Sequence, residues 1–185
     1  MAQDKQVVLE KDELVRTLNR MAHEIVEKTS NAGELALIGI HSRGVHLARR
    51  IARKIAEVAN CAPPVGSLDV TSYRDDRSVE QPAIPAGAPD VPFSLDDRTV
   101  VLIDDVIFRG RTIRAAMEAI TRLGHPRRIL VAVLVDRGAR ELPIRADVVG
   151  KNVDAGEGER VNVLLTESDG IDQVTVGRWQ GRGGT

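Results

Sequence analysis

The sequence predicts an α/β protein with a mostly parallel central sheet, helices on both faces and a flexible lid loop. Three observations carry this. Short aliphatic runs alternate with segments of helical periodicity along most of the chain. Past Thr99 and Arg128 at their starts, the runs at 35–40, 99–103 and 128–135 are apolar, which marks strands buried on both faces and hence a parallel sheet. Each run leads into a polar loop: His41-Ser42-Arg43-Gly44, Asp104-Asp105 and Asp136-Arg137-Gly138. Parallel βαβ units cross over with one hand, so these loops gather at the C-terminal edge of one sheet.

A chain of 185 residues fits one domain. Within it, 73–92 is the expected lid. Hydrophobic residues make up 42% and aromatics only 2%, so the core is aliphatic. A net charge of −1 gives no global basic field, and any nucleic-acid surface must be a local patch. The single cysteine, Cys61, excludes an internal disulfide framework and a four-cysteine zinc site. No apolar run approaches the roughly 20 residues that span a bilayer. The charged N-terminal stretch lacks a signal-peptide core, so a cytoplasmic protein without membrane contact is expected.

In chain order, residues 7–9 form a short strand or an entry segment. Leu14, Leu18, Met21, Ala22 and Ile25 share one helical stripe, with Asp12 and Glu13 suited to its N-terminus. The opposite face carries Arg16, Asn19, Arg20 and His23, by default solvated. Asn31-Ala32-Gly33 ends that helix. The strand at 35–40 feeds a second helix with Leu47, Ala48, Ile51, Ile55 and Val58 inward. Residues 65–72 read as a third strand. Residues 73–92, rich in Pro, Ala and Asp, have no periodicity and form a lid, a disordered segment or a flexible hairpin. After the strand at 99–103, the spacing of Ile113, Met117, Ile120 and Leu123 starts a helix near Gly110 or Arg111. Residues 128–135 and 146–149 are further strands. Residues 161–165 and 174–176 flank a hairpin signal at Ser168-Asp169-Gly170.

The stretch from 99 to 112 carries the chemistry. A strand feeding a helix through a tight loop aims backbone N–H groups and the positive helix end at one point, where a phosphate fits. Asp104 and Asp105 stand at the strand tip. Carboxylates accept hydrogen bonds from sugar hydroxyls or hold hydrated Mg²⁺, so a phosphorylated sugar with a metal is implied. The plainer reading is a strand ending in solvated acids. Arg43 either grips a diphosphate as a planar fork or is an ordinary surface residue.

Four apolar residues, two acids and the loop Phe108-Arg109-Gly110-Arg111-Thr112 resemble the phosphoribosyl-diphosphate (PRPP) signature of type I phosphoribosyltransferases. Arg109 departs from it, standing where the family usually has Thr. Further runs resemble one branch of that family, the pyrimidine-operon RNA-binding attenuators that double as uracil phosphoribosyltransferases. They are Ala22-His23-Glu24-Ile25, Gly39-Ile40-His41-Ser42-Arg43-Gly44, Tyr73-Arg74-Asp75-Asp76, Arg140-Glu141-Leu142-Pro143-Ile144-Arg145-Ala146-Asp147 and Gly150-Lys151-Asn152.

The resemblance implies the type I phosphoribosyltransferase fold, with roughly 142–180 as a small hood and C-terminal hairpin, and an enzyme joining uracil to PRPP, with Mg²⁺ brought by PRPP rather than held in a protein cage. It also implies binding of pyr leader mRNA in the presence of UMP or UTP, transcription attenuation, and a homodimer or higher homo-oligomer. Carried over by residue, Asp104, Asp105 and Arg43 would be catalytic. Ser42, Arg43, Gly44, Arg74, Asp104, Asp105, Val106, Ile107, Phe108, Arg109, Gly110, Arg111 and Thr112 would bind PRPP or nucleotide. Asp136, Arg137, Val149, Gly150 and Lys151 would line the uracil pocket. Asn19, Arg20, His23, Arg140, Arg145 and Lys151 would form the RNA face, where Asn19 and Ala139 depart from the family's usual Thr and His. Two alternatives stand beside this: a nucleotide-sensing RNA-binding regulator with little catalysis, and a salvage enzyme for another base.

Overall fold

The computed structural model describes residues 5–29, 31–70 and 87–178. Five parallel strands form the central sheet in the order β3-β2-β4-β5-β6: β2 (Leu35–Ile40), β3 (Val65–Leu68), β4 (Thr99–Ile107), β5 (Arg128–Asp136) and β6 (Val148–Asn152). Side chains alternate between two cores, as the pleat requires. Leu35, Leu37, Val101, Ile103, Leu130, Ala132 and Leu134 face one side, where α1 (Lys11–Glu27) and α2 (Arg43–Ala59) cover them. Ala36, Ile38, Val100, Leu102, Val131 and Val133 face the other, against α3 (Arg111–Leu123). The α1 stripe is buried as its spacing predicts, and a capping box between Glu10 and Glu13 starts the helix.

The second sheet is antiparallel, in the order β1-β8-β7. It unites the two ends of the described chain: β1 (Lys5–Leu9) pairs β8 (Gln173–Arg178), which pairs β7 (Glu159–Leu164). A short helical turn, α4 (Thr166–Asp169), joins β7 to β8. The stretch expected as hood from about 142 therefore divides. Val148–Asn152 completes the central sheet, and the small sheet begins only at Glu159.

Strand β4 also runs further than 103. Beyond Ile103 it has lost β2 as a neighbour, yet it stays paired to β5 through Ile107↔Asp136. Asp104 and Asp105 thus lie on a strand edge that projects past β2. Of the expected lid, residues 73–86, including Arg74, lie outside the described residues, as do residues 71 and 72 of the expected third strand. The segment after them is anchored by Asp90, which exchanges two backbone hydrogen bonds with Ser67 of β3.

Candidate functional site

Strand order reverses between β2 and β4: the chain leaves β2 toward β3 on one side and leaves β4 toward β5 on the other. The gap at such a switch point is where open α/β sheets take ligands. Two strand-to-helix turns border it. In the first, Ser42 precedes α2, and the His41–Ser42 peptide is cis. Gly39 and Gly44 let this turn approach the sheet. A Cβ on Gly44 would stand 2.5 Å from the Ile103 carbonyl oxygen and 3.3 Å from Asp104 Cα. Residues far apart in sequence, 42–44 and 104, are thereby brought to one rim.

The second turn, after β4, ends at Gly110, whose φ of 93° is the left-handed conformation that glycine tolerates. Thr112 is buried in the first turn of α3. Asp104 is buried and Asp105 half-buried. Backbone N–H groups orient both: Asp105 donates to Asp104 Oδ1 at 2.9 Å, and Val106 donates to Asp105 Oδ1 at 2.8 Å. Among the described residues no three His, Cys, Asp or Glu side chains converge as a metal-ligand set. Two adjacent hard-oxygen donors do fit Mg²⁺, which keeps most of its waters and is commonly shared between a carboxylate and substrate phosphates.

The arginines of the site are already engaged. Arg43 donates to both carboxylate oxygens of Asp169 on α4, at 3.2 and 2.9 Å. Burial pushes the Asp169 carboxyl up, but Arg43 and the Leu165 N–H outweigh it and hold the pKa below its ordinary value. Arg109 pairs with Glu141 at 3.1 Å and stacks against Phe108. Arg137 lies over the same ring, 3.9 Å from its centre, with its Nε buried and without a hydrogen-bond partner among the described residues. Burial, then the neighbouring Arg109 and Arg160, pushes the Arg137 pKa down.

Of the expected base-pocket residues, Asp136 and Arg137 end β5 while Val149, Gly150 and Lys151 lie on the adjacent β6. Gly150 sits where a Cβ would meet the Leu134 carbonyl oxygen at 2.4 Å, so only glycine allows this closeness. The expected RNA face is divided. Arg20 and His23 are exposed on α1, and Arg20 donates to the Val149 and Gly150 carbonyls at 3.0 and 2.5 Å. Lys151, also exposed, donates to the Val8 carbonyl at 3.0 Å, and Arg145 is exposed. Asn19 is only half-exposed, with its side-chain oxygen buried and unpartnered among the described residues. Arg140 is spent inside the chain: it donates to the Ile144, Phe108 and Gly138 carbonyls and to Asp136. It clamps its own loop instead of presenting a guanidinium to a partner.

Sequence reasoning missed Glu141 and Asp169 as partners of Arg109 and Arg43. It also missed Arg50, which donates to Glu167 and Asp172 through four hydrogen bonds of 2.5–2.9 Å. No local pattern signals these, because the Arg50 partners lie 117 and 122 residues away.

A switch-point crevice bordered by a phosphate-type turn, an acid pair and a second basic turn defines an α/β protein built to take a phosphorylated ligand. The phosphoribosyl transferase domain family matches residues 7–163. The chain is 52% identical over 176 residues to the Bifunctional protein PyrR of Chloroflexus aurantiacus, covering 95% of this chain and 96% of that one. It is 51% identical over 178 residues to the Bifunctional protein PyrR of Deinococcus radiodurans, with 95% and 96% covered. Its fold is similar to that of Hypoxanthine Phosphoribosyltransferase from Trypanosoma cruzi in complex with the product IMP, at a TM-score of 0.71, 15% identity and coverage of 95% and 91%. The chain belongs to the phosphoribosyltransferase domain family and, within it, to the bifunctional PyrR proteins. Among the described residues no helix is long and apolar enough to cross a membrane.

Proposed function

We propose that this protein regulates pyrimidine biosynthesis by binding pyr leader mRNA under the control of uridine nucleotides, and that it converts uracil and PRPP to UMP and diphosphate. The observation that carries the reading is the meeting of residues 42–44 with Asp104 at the switch point, beside the turn that begins α3. Backbone N–H groups of residues 108–112 and the Thr112 hydroxyl hold the 5′-phosphate at the positive end of α3. Asp104 and Asp105 accept hydrogen bonds from the ribose hydroxyls. As diphosphate leaves, positive charge builds at the anomeric carbon, and the same carboxylates stabilise it. Arg43 binds the departing diphosphate, and Mg²⁺ brought with PRPP, which Asp104 and Asp105 would hold, would supply charge neutralisation there. Asp136, Arg137 and the backbone of residues 149–151 hold uracil in plane.

For RNA, Arg20 and His23 on α1 and Lys151 on β6 offer donors, with Arg145 on the loop before β6, and exposed arginines also stack on unpaired bases. Arg140 fixes the loop that carries Arg145. The working form is a cytoplasmic homodimer or larger homo-oligomer.

Radiolabelled uracil with PRPP and Mg²⁺ tests the enzyme, and filter binding of pyr leader RNA with and without UMP tests the regulator. Turnover to UMP together with nucleotide-dependent RNA retention is the expected outcome. RNA retention without turnover would leave a nucleotide-sensing regulator, and a preference for hypoxanthine or guanine would make it a salvage enzyme.

A further inference from the structure

We infer that Glu141 is an internal counter-ion which holds Arg109 in store and surrenders it to the ligand's phosphate, so that filling the turn after β4 is coupled to the loop at 138–145. This rests on the reading that residues 108–112 bind a 5′-phosphate.

Three sets of contacts zip that turn to that loop. Glu141 bridges two guanidinium groups, Arg109 at 3.1 Å and Arg111 at 2.5 Å. The Arg109 carbonyl accepts the backbone N–H groups of Glu141 and Leu142 at 3.1 and 3.2 Å. Arg140 donates to the Phe108 carbonyl at 2.8 Å. The backbone contacts hold the two segments in register whatever the side chains do. The carboxylate pair is the part that can exchange.

Charge decides the direction of exchange. Arg109, Arg111 and Arg137 all lie at this turn, and Arg109 already disfavours the charge on Arg137. The Glu141 carboxylate, 42% exposed, is the anion that Arg109 and Arg111 share. An exposed carboxylate pair is weak because water competes for both partners. A phosphate seated against backbone donors carries nearly twice the charge and three acceptor oxygens, so it outcompetes Glu141 for the Arg109 fork. Arg109 then becomes a phosphate ligand, replacing the hydroxyl donor that the family's usual Thr provides. Glu141, released, alters the charge of the loop that carries Arg145. Phosphate occupancy is thus reported to the surface proposed for RNA.

Isothermal titration of UMP into the full chain and three variants tests this, with circular dichroism checking the fold of each. Arg109→Ala is expected to weaken UMP about tenfold, the loss of one charge-assisted contact. Glu141→Gln is expected to tighten UMP about threefold, since the competing anion is gone while the side-chain shape remains. In the Arg109→Ala background, Glu141→Gln should change nothing. Weaker UMP binding by Glu141→Gln would show that Glu141 only braces the turn. Tightening that persists without Arg109 would transfer the exchange to Arg111. An unchanged affinity in Arg109→Ala would also overturn the inference, leaving UMP binding itself intact. Failure of the parent chain to bind UMP would overturn the proposed function as well.

Discussion

The two turns that face each other across the switch point share a strand-to-helix plan but are held by different forces. The turn before α2 is fixed by backbone contact. Gly39 and Gly44 sit where any Cβ would collide at 2.5 Å with the main chain of Val45 and Ile103. The turn before α3 has ordinary contacts around Gly110, nearest at 3.5 Å to the Leu142 side chain, and leans on the loop at 138–145. Their arginines also report to different places, Arg43 to the small sheet and Arg109 to the loop at 138–145. One end of the crevice is therefore rigid and tied to the small sheet. The other is adjustable and tied to the surface expected to meet RNA.

Removing the anchor of the small sheet should break this contrast most severely. Burial pushes the Asp172 carboxyl up, but hydrogen bonds from Arg50 and Thr166 prevail and hold it down at about 2. Arg50 is in turn pushed above its ordinary value, first by its bond to Glu167. Arg50→Ala strands a buried carboxylate. It should cost roughly 2–3 kcal/mol, below the fully buried range because the Arg50 side chain keeps 16% exposure. Because the folded pKa of Asp172 is depressed, its stabilisation is complete above the unfolded value near pH 4 and fades as pH falls toward about 2. Urea midpoints measured from pH 6 to 2 should fall more steeply for the parent than for Asp172→Asn. Parallel curves would remove Asp172 from that account.

The glycines sharpen the same contrast with a smaller effect. Gly44→Ala forces the α2 turn off β4 and should cost about 2 kcal/mol by overpacking. Gly110→Ala meets no clash and should cost about 1 kcal/mol, from its left-handed backbone alone. Denaturation midpoints that ranked the two in reverse would show the α3 turn to be the rigid one.

Most of the central sheet was legible in the sequence because parallel strands buried on both faces leave unbroken aliphatic runs. Residues 35–40 were read as a strand to the residue, and α3 was placed from four apolar positions. The extension of β4 through Asp104 and Asp105 was not legible, because two adjacent acids look like a strand's end. Only the continued presence of β5 alongside keeps them in the ladder. The small sheet was half legible: its hairpin showed through the signal at 168–170. The pairing of β1 with β8 leaves no local trace, since it joins segments from opposite ends of the chain. For the site, residue types were legible and side-chain partners were not. Arg43 and Arg109 read as ligand-facing cations, whereas the fold gives each a carboxylate from a distant loop.

The smallest expected effect tests the rigid end. Asp169 holds Arg43 by a two-bond fork and also accepts the Leu165 N–H at 2.9 Å. Asp169→Asn keeps an acceptor for Leu165, so α4 should stay folded, but it removes the charge that competes with diphosphate for Arg43. The fork is only partly exposed, 27% on the arginine, so its loss should be felt at the site more than in stability. KM for PRPP should fall about twofold to threefold with kcat nearly unchanged, because the bond to Arg43 forms in the ground state as well as in the transition state. A fall in kcat at constant KM would mean that Asp169 aims Arg43 at the departing diphosphate instead of withholding it. In that case the two ends of the crevice would differ in kind: an ion pair that positions its arginine before α2, and one that stores its arginine before α3.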